Sequence, residues 1–370
     1  MFKNNTTFWG SIGGSYFLIV YIAMLTGLDI YRHISVMISA VFGVWSIFSF
    51  KRSLRPVCVS FIIIAISCIF SSIRGFGDNT NIYDFFYVLM GIVFCTRRMR
   101  IKVLSLFFYV ISVLIIMRYL QNFYYFFFAP EDLKISFFAF SSVNYISVFL
   151  LSMIGILFYQ ARIQGEELPI LPVIFSVILS VLSKSRMGML VSLICLLFVY
   201  IARGNQKLSF RKIFLIFITI MGLYFIISYI FNSIGIEGLD FLSEKFENRS
   251  RNYSEDTRSI ILSDYIKNIN FNTFFWGVDV PRYVYDSPHN SLLNMHYHFG
   301  ILSFVILYYM CKSLIFYWKY ERVLFYTFLL LLMRAFTDDM FFVNNFDVVA
   351  VSFIMTPYIA SNYSFKKEFK

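Results

Sequence analysis

The sequence predicts an all-α integral membrane protein, with about twelve transmembrane helices and one large loop on the non-cytoplasmic side. Three observations predict it. Of 370 residues, 59% are hydrophobic and only 14% charged, with a mean hydropathy of +0.71; a water-facing domain carries nearer a quarter charged residues. The apolar residues come in runs close to the roughly 20 residues that a spanning helix needs. The connections between runs alternate between basic-rich and basic-poor, as topology determinants do.

The runs fall near 8–28, 34–50, 56–73, 82–96, 103–125, 137–160, 169–183, 187–202, 213–232, 291–311, 323–337 and 346–361. They lack the strict alternation and the roughly 10-residue length of barrel strands. The first follows a short polar start with no convincing cleavage site, so it reads as a retained helix rather than a signal peptide. The hairpin 169–202 is broken only by Lys184-Ser185-Arg186.

Every second connection from the N-terminus holds the basic residues: Lys3; Lys51, Arg52 and Arg55; Arg97, Arg98, Arg100 and Lys102; Arg162; Arg203, Lys207, Arg211 and Lys212; Lys312, Lys319 and Arg322; and Lys366, Lys367 and Lys370. The intervening ones hold Arg32, Arg74, Lys134, Lys184, Arg186 and Arg334. The first set is about three times richer, which assigns both termini to the cytoplasm. The net charge of +11 is thereby a topology signal, and no nucleic-acid partner is expected. The five cysteines lie in or beside apolar runs, without CxxC or Cys/His spacing, so neither disulfides nor a metal are expected.

The segmentation divides the chain into a bundle of about nine helices over 1–232, an outer loop over 233–290, and about three further helices with a cytoplasmic tail over 291–370. A long loop in a tight bundle is where function is expected. Within it, Glu255 to Asn270 reads as a helix with Ser254 as N-cap. Leu262, Tyr265, Ile266 and Ile269 form one apolar stripe, suited to the membrane surface or to the outer face of the bundle.

Three features on the outer side can carry chemistry. Arg186, in Ser185-Arg186-Met187-Gly188, is costly in so apolar a stretch unless it is interfacial or paired; alone, it reads as a helix end that snorkels, and Gly188 as a packing residue. Arg258, in Glu255-Asp256-Thr257-Arg258, opens the loop helix and alone reads as a solvated charge. His289, in Pro288-His289-Asn290-Ser291, stands where the loop re-enters the membrane; alone, the cluster reads as a helix start capped by Asn290 or Ser291. His296 and His298 are two apart and make a poor metal pair. Asp338-Asp339 reads as a polar cap between two spans, and Arg118 as a basic residue well inside one. Arginine forks bind phosphate oxygens and a histidine can deprotonate a hydroxyl, so the set suits displacement of a diphosphate by a sugar hydroxyl.

The order Arg186 with Gly188, Arg258 on a loop helix, Gly277 ahead of His289-Asn290, then Gly300, resembles the O-antigen polymerase and O-antigen ligase superfamily. The resemblance in architecture covers nearly the whole chain, and the motifs cover some twenty residues. It implies an inverting, metal-independent glycosyltransferase of the inner membrane, working at the periplasmic face on undecaprenyl-diphosphate-linked oligosaccharide as donor and acceptor, without a cofactor. A polymerase moves the chain onto the non-reducing end of a lipid-linked repeat unit; a ligase moves it onto lipid A–core. Length, the single dominant loop and composition lean towards the polymerase. By position, His289 is the base, Arg186 and Arg258 hold the diphosphate, and Asn290 orients His289. Glu255 and Asp256 restrain Arg258 or contact sugar, with Ser185 beside them as a substrate-contacting candidate. A chain-length-regulating co-polymerase is the implied protein partner. The reading from a different class is a flippase or other transporter of the lipid-linked glycan, which places charges deep in its bundle.

Overall fold

The computed structural model describes residues 5–48, 82–122, 137–138, 144–183, 185–203, 257–277, 290–338, 340–341 and 346–360, with the backbone alone for 82–85, 186, 203, 257–259 and 358–360. Among these residues the regular structure is helical. The helices are α1 (Thr6–Thr26), α2 (Asp29–Phe48), α3 (Ile82–Thr96), α4 (Ile101–Gln121), α5 (Tyr145–Gln164), α6 (Ile170–Leu182), α7 (Arg186–Arg203), α8 (Thr257–Lys267), α9 (Phe271–Trp276), α10 (Ser291–Phe299), α11 (Ser303–Tyr320), α12 (Arg322–Ala335) and α13 (Asp347–Ala360); a 3-10 turn, Gly300–Leu302, joins α10 to α11.

Among the described residues, five helical segments are long and apolar enough to cross a membrane: Thr6–Thr26, Asp29–Phe48, Ile101–Gln121, Tyr145–Gln164 and Ser291–Tyr320. Four of the expected runs appear as shorter apolar helices, Phe86–Thr96, Ile170–Leu182, Met187–Ala202 and Asp347–Pro357. The runs 56–73 and 213–232, and the loop up to 256, lie outside the described residues. The chain is thus an α-helical protein with several membrane-crossing helices.

The core is built round α5, which buries nearly every residue along its length. Helices approach closely where a glycine faces a neighbour, as small residues allow in membrane bundles. A Cβ on Gly91 of α3 would collide with Val351 of α13, and there Ser352 Oγ donates to the Gly91 carbonyl at 3.2 Å.

Polar contacts gather at one end of α5. Arg162 forks onto Glu321, Nε to Oε1 and Nη2 to Oε2, both at 3.1 Å. Gln160 accepts the Met99 N–H at 2.9 Å and donates to the carbonyls of Phe94 and Arg97 at 2.7 and 3.1 Å. The buried Arg97 guanidinium lies 4.7 Å from the Trp9 ring centroid, and the Arg100 N–H donates to the Thr6 carbonyl at 2.9 Å. The start of α1, the α3–α4 connection, the end of α5 and the α11–α12 junction therefore share one end. Charge alternation had placed those connections on one side.

Four expectations change. The run 291–311 continues as helix to Tyr320, so Lys312 lies within α11 and not in a connection. Arg118 is in the last turn of α4, which ends at Gln121, and so is near a helix end. The helix read over 255–270 ends at Lys267 among the described residues, and the next helix, α9, is capped by Asn270. Its Oδ1 accepts the Thr273 N–H at 3.0 Å, while Thr273 Oγ1 accepts the Asn270 N–H at 2.7 Å. The apolar stripe also divides: Tyr265 is buried together with Ile261, whereas Leu262, Ile266 and Ile269 are exposed.

Candidate functional site

His289, Glu255 and Asp256 lie outside the described residues. Arg186 is the first residue of α7 and Arg258 the second of α8, each described by its backbone. Ser185 and Asn290, the chain neighbours of Arg186 and His289, are described with their side chains.

Ser185 is buried at the start of α7. Its hydroxyl accepts the Gly188 N–H at 3.3 Å, capping the helix, and lies 3.0 Å from the Ser147 hydroxyl on α5. Ser147 Oγ donates its one proton to the Asn144 carbonyl at 2.8 Å, so Ser185 is the donor of the pair. A Cβ on Gly188 would overlap the Ser147 side chain, so this capped turn requires glycine there.

Asn290 caps α10: its Oδ1 accepts the N–H groups of Leu292 and Leu293 at 2.9 and 3.3 Å, and its Nδ2 donates to the Phe336 carbonyl at 3.0 Å. Ser291 donates to the Asp338 carbonyl at 2.9 Å and accepts the N–H groups of Met340 and Phe341 at 2.9 and 3.0 Å. One proton and two lone pairs are all in use. Both ends of the Asn290 amide are thus engaged by the protein itself, and Asn290 and Ser291 are tied to the turn after α12.

Arg334 joins the two halves. It is 2% exposed, and its Nη2 donates to Asp338 Oδ2 at 3.0 Å and to Ser147 Oγ at 3.4 Å. Its Nη1 donates to Thr337 Oγ1 at 3.2 Å, and its buried Nε has no hydrogen-bond partner among the described residues. Arg334 is therefore not the connection charge expected from sequence. With Asp338 it forms a buried ion pair, touching Ser147, which in turn meets Ser185, on one side and, through the turn after α12, Asn290 and Ser291 on the other. The i, i+4 spacing of Arg334 and Asp338 was a readable signal; the serines they meet across the fold had none.

The described segment 257–277 is fastened to α10. His296 Nε2 faces the Phe274 carbonyl at 3.1 Å, and the Tyr265 hydroxyl meets Nδ1 at 2.7 Å. A carbonyl only accepts, so Nε2 carries the proton and Tyr265 donates to Nδ1. The backbones of 275–277 and 296–300 touch. A Cβ on Gly277 would overlap the Tyr297 carbonyl oxygen, and one on Gly300 the Phe275 carbonyl oxygen. Gly300, at φ 52° and ψ −131°, also turns the chain between α10 and α11, a conformation only glycine adopts without strain. His298, unlike His296, is buried, its ring 4.7 Å from that of Tyr297.

No family model, curated protein or solved structure matches this chain.

Proposed function

We propose that this protein is a membrane glycosyltransferase of the O-antigen polymerase kind, moving an undecaprenyl-diphosphate-linked glycan onto the non-reducing end of a lipid-linked repeat unit. The observation that carries the reading is that Ser185 and Asn290, the neighbours of Arg186 and His289, are linked to the segment holding the buried Arg334–Asp338 pair, Ser185 through Ser147 and Asn290 through the Phe336 carbonyl. A catalytic pair on remote segments must be held by packed, hydrogen-bonded supports, and a network of this kind suits that role.

On this reading His289 takes the proton of the acceptor hydroxyl as its oxygen bonds to the anomeric carbon. The bond from that carbon to the diphosphate breaks on the opposite face, inverting the centre. The charge left on the diphosphate meets Arg186 and Arg258. Glu255 and Asp256 restrain Arg258 or contact sugar. The reaction as read needs no metal and no cofactor. The protein would sit in the bacterial inner membrane with both termini in the cytoplasm, beside a co-polymerase that sets chain length. The gathering of Arg97, Arg100 and Arg162 at one end supports that orientation.

Depth supports it as well. From Glu321 to Arg334 is 13 positions along α12, or about 20 Å at 1.5 Å per residue, against a hydrocarbon core of about 30 Å. With the Arg162–Glu321 pair at the inner boundary, the Arg334 centre lies about 10 Å below the outer one. A headgroup arriving from the bilayer reaches such a site without leaving its lipid.

The test is complementation of a strain lacking this chain, with lipopolysaccharide resolved on a gel. A ladder restored by wild type, and core plus a single repeat with His289→Ala, Arg186→Ala or Arg258→Ala at matched membrane levels, supports the proposal. Bare core converted to capped core indicates the ligase, and three fully active mutants refute the assigned site. The buried Arg334–Asp338 pair is also what a carrier of lipid-linked glycan would keep inside its bundle. Reconstituted protein that moves such a lipid across liposomes without lengthening the glycan would replace the transferase reading with that one.

A further inference from the structure

The helices α8 and α9 carry a face whose exposure is unexplained by the enzymatic reading. Helix α8 packs Ile261 and Tyr265 inward, Tyr265 against Tyr297 and Leu293 of α10. It leaves Leu262 and Ile266 exposed at 44% and 57%, and Ile269, just beyond its end, is 42% exposed. Helix α9, Phe-Asn-Thr-Phe-Phe-Trp, buries none of its residues; Phe271 is 80% exposed and Trp276 42%. Its backbone is nevertheless fixed, by the His296–Phe274 hydrogen bond and by the two glycine contacts. The aromatic side chains are thus held outward on a rigid support. In water, large apolar side chains left exposed forgo the free energy of burial.

What covers this face follows from what it continues into. The Phe274 ring lies 5.9 Å from that of Phe304 on α11, and Phe304 and Tyr308, at 51% and 59% exposed, begin the open side of that helix. The open side of a membrane-crossing segment faces lipid. Its length gives the level: from Tyr320 back to Gly300 is 20 positions, about 30 Å at 1.5 Å per residue, which is the thickness of the hydrocarbon core. Helix α9 packs at Gly300, so it sits at the outer boundary of that layer. Tryptophan and other aromatic residues favour this boundary, and an amphipathic helix lies in its plane. The polar residues agree, since Asp264, Lys267, Asn268 and Asn270 are at or near the surface between the two apolar groups.

We infer that the segment 257–277 lies in the headgroup layer of the outer leaflet, with Leu262, Ile266, Phe271, Phe275 and Trp276 turned into lipid. The partner of this surface is the bilayer itself, and the inference stands whether or not the protein transfers glycans.

The chain has four tryptophans, which makes a direct test simple. The full-length protein with Trp9→Phe, Trp45→Phe and Trp318→Phe, reconstituted in phosphatidylcholine vesicles, reports on Trp276 alone. The inference expects a blue-shifted emission that loses most of its intensity to lipid brominated near the headgroup and little to aqueous iodide. An emission at the wavelength of tryptophan in water, quenched by iodide and untouched by brominated lipid, would overturn it. If the triple replacement fails to accumulate, a nitroxide at Phe275→Cys in an otherwise cysteine-free chain answers the same question. Faster relaxation by oxygen than by a water-soluble nickel chelate supports the inference; the reverse order overturns it.

Discussion

Ser147 and Arg334 stand 187 positions apart in the chain and meet through a 3.4 Å hydrogen bond between the buried start of α5 and the end of α12. The guanidinium is almost wholly removed from solvent, and Asp338 at 3.0 Å neutralises it. Removing one partner of a buried pair strands the other and costs about 3–5 kcal/mol, whereas replacing both by apolar residues is often neutral. Arg334→Ala and Asp338→Ala are therefore expected to lower the melting temperature of the detergent-purified protein sharply. The double replacement Arg334→Met with Asp338→Leu is expected to recover most of that loss. If the pair supports the site, glycan transfer stays absent in the double variant although its stability has returned; recovery of both would make the pair purely structural.

Ser291 has a narrower role, and its variants separate cleanly. Its oxygen accepts two backbone N–H groups and its proton goes to a third backbone group. Ser291→Ala leaves those groups without their partner, at about 1–3 kcal/mol for each buried group left unsatisfied. Ser291→Thr keeps the hydroxyl. Thermal unfolding of both, followed by size-exclusion chromatography, should place Ala well below Thr; equal losses would mean that volume rather than hydrogen bonding governs the position.

Gly277 and Gly300 are expected to be intolerant of any side chain, because both combine positive φ with a carbonyl oxygen where Cβ would stand. Gly165 supplies the control: its φ is 68°, but a Cβ there meets nothing within 4 Å. Gly165→Ala should cost about 1 kcal/mol from backbone strain alone. Gly277→Ala and Gly300→Ala should cost more than Gly165→Ala, lowering the melting temperature further, and should loosen the 257–277 segment, seen as faster protease cleavage within it.

Tyr265→Phe removes the donor to His296 Nδ1 while keeping the ring against Tyr297. The expected loss is about 0.5–1.5 kcal/mol, small enough to leave the bundle folded. His296→Ala removes the Phe274 contact as well and should increase protease access to 257–277 by a larger factor. The two variants in parallel weigh the two hydrogen bonds against each other.

Much of the bundle was legible because a membrane helix must be long and apolar whatever its neighbours are. The run 8–28 is Thr6–Thr26, and the run 103–125 contains most of Ile101–Gln121. The cap on α10 was legible too, since Asn290 is a strong N-cap type immediately ahead of an apolar run. Gly277 and Gly300 stood out by resemblance; their reason, two backbones in contact, belongs to the fold alone. Arg334 was misplaced because hydropathy counts a charge near a run's end as connection, and only packing shows that a serine on α5 and an acid one turn on make it a buried residue. The division of the 255–270 stripe was hidden for a similar reason. Periodicity marks Leu262, Tyr265 and Ile266 as equally apolar, but cannot separate a face turned to protein from one turned elsewhere.

The Arg162–Glu321 fork has a consequence for how the protein is made. The two residues are 159 positions apart, and at about 5–20 residues per second a ribosome takes roughly 8–30 s to reach the second after the first. For that interval the end of α5 is in the membrane with its arginine exposed to headgroups, and the face that will receive α12 is open to lipid. The early helices must therefore persist as an incomplete bundle until the C-terminal third emerges. A chain cut short before Glu321 should reach the membrane and then meet quality control, so truncation is expected to act on abundance before it acts on chemistry.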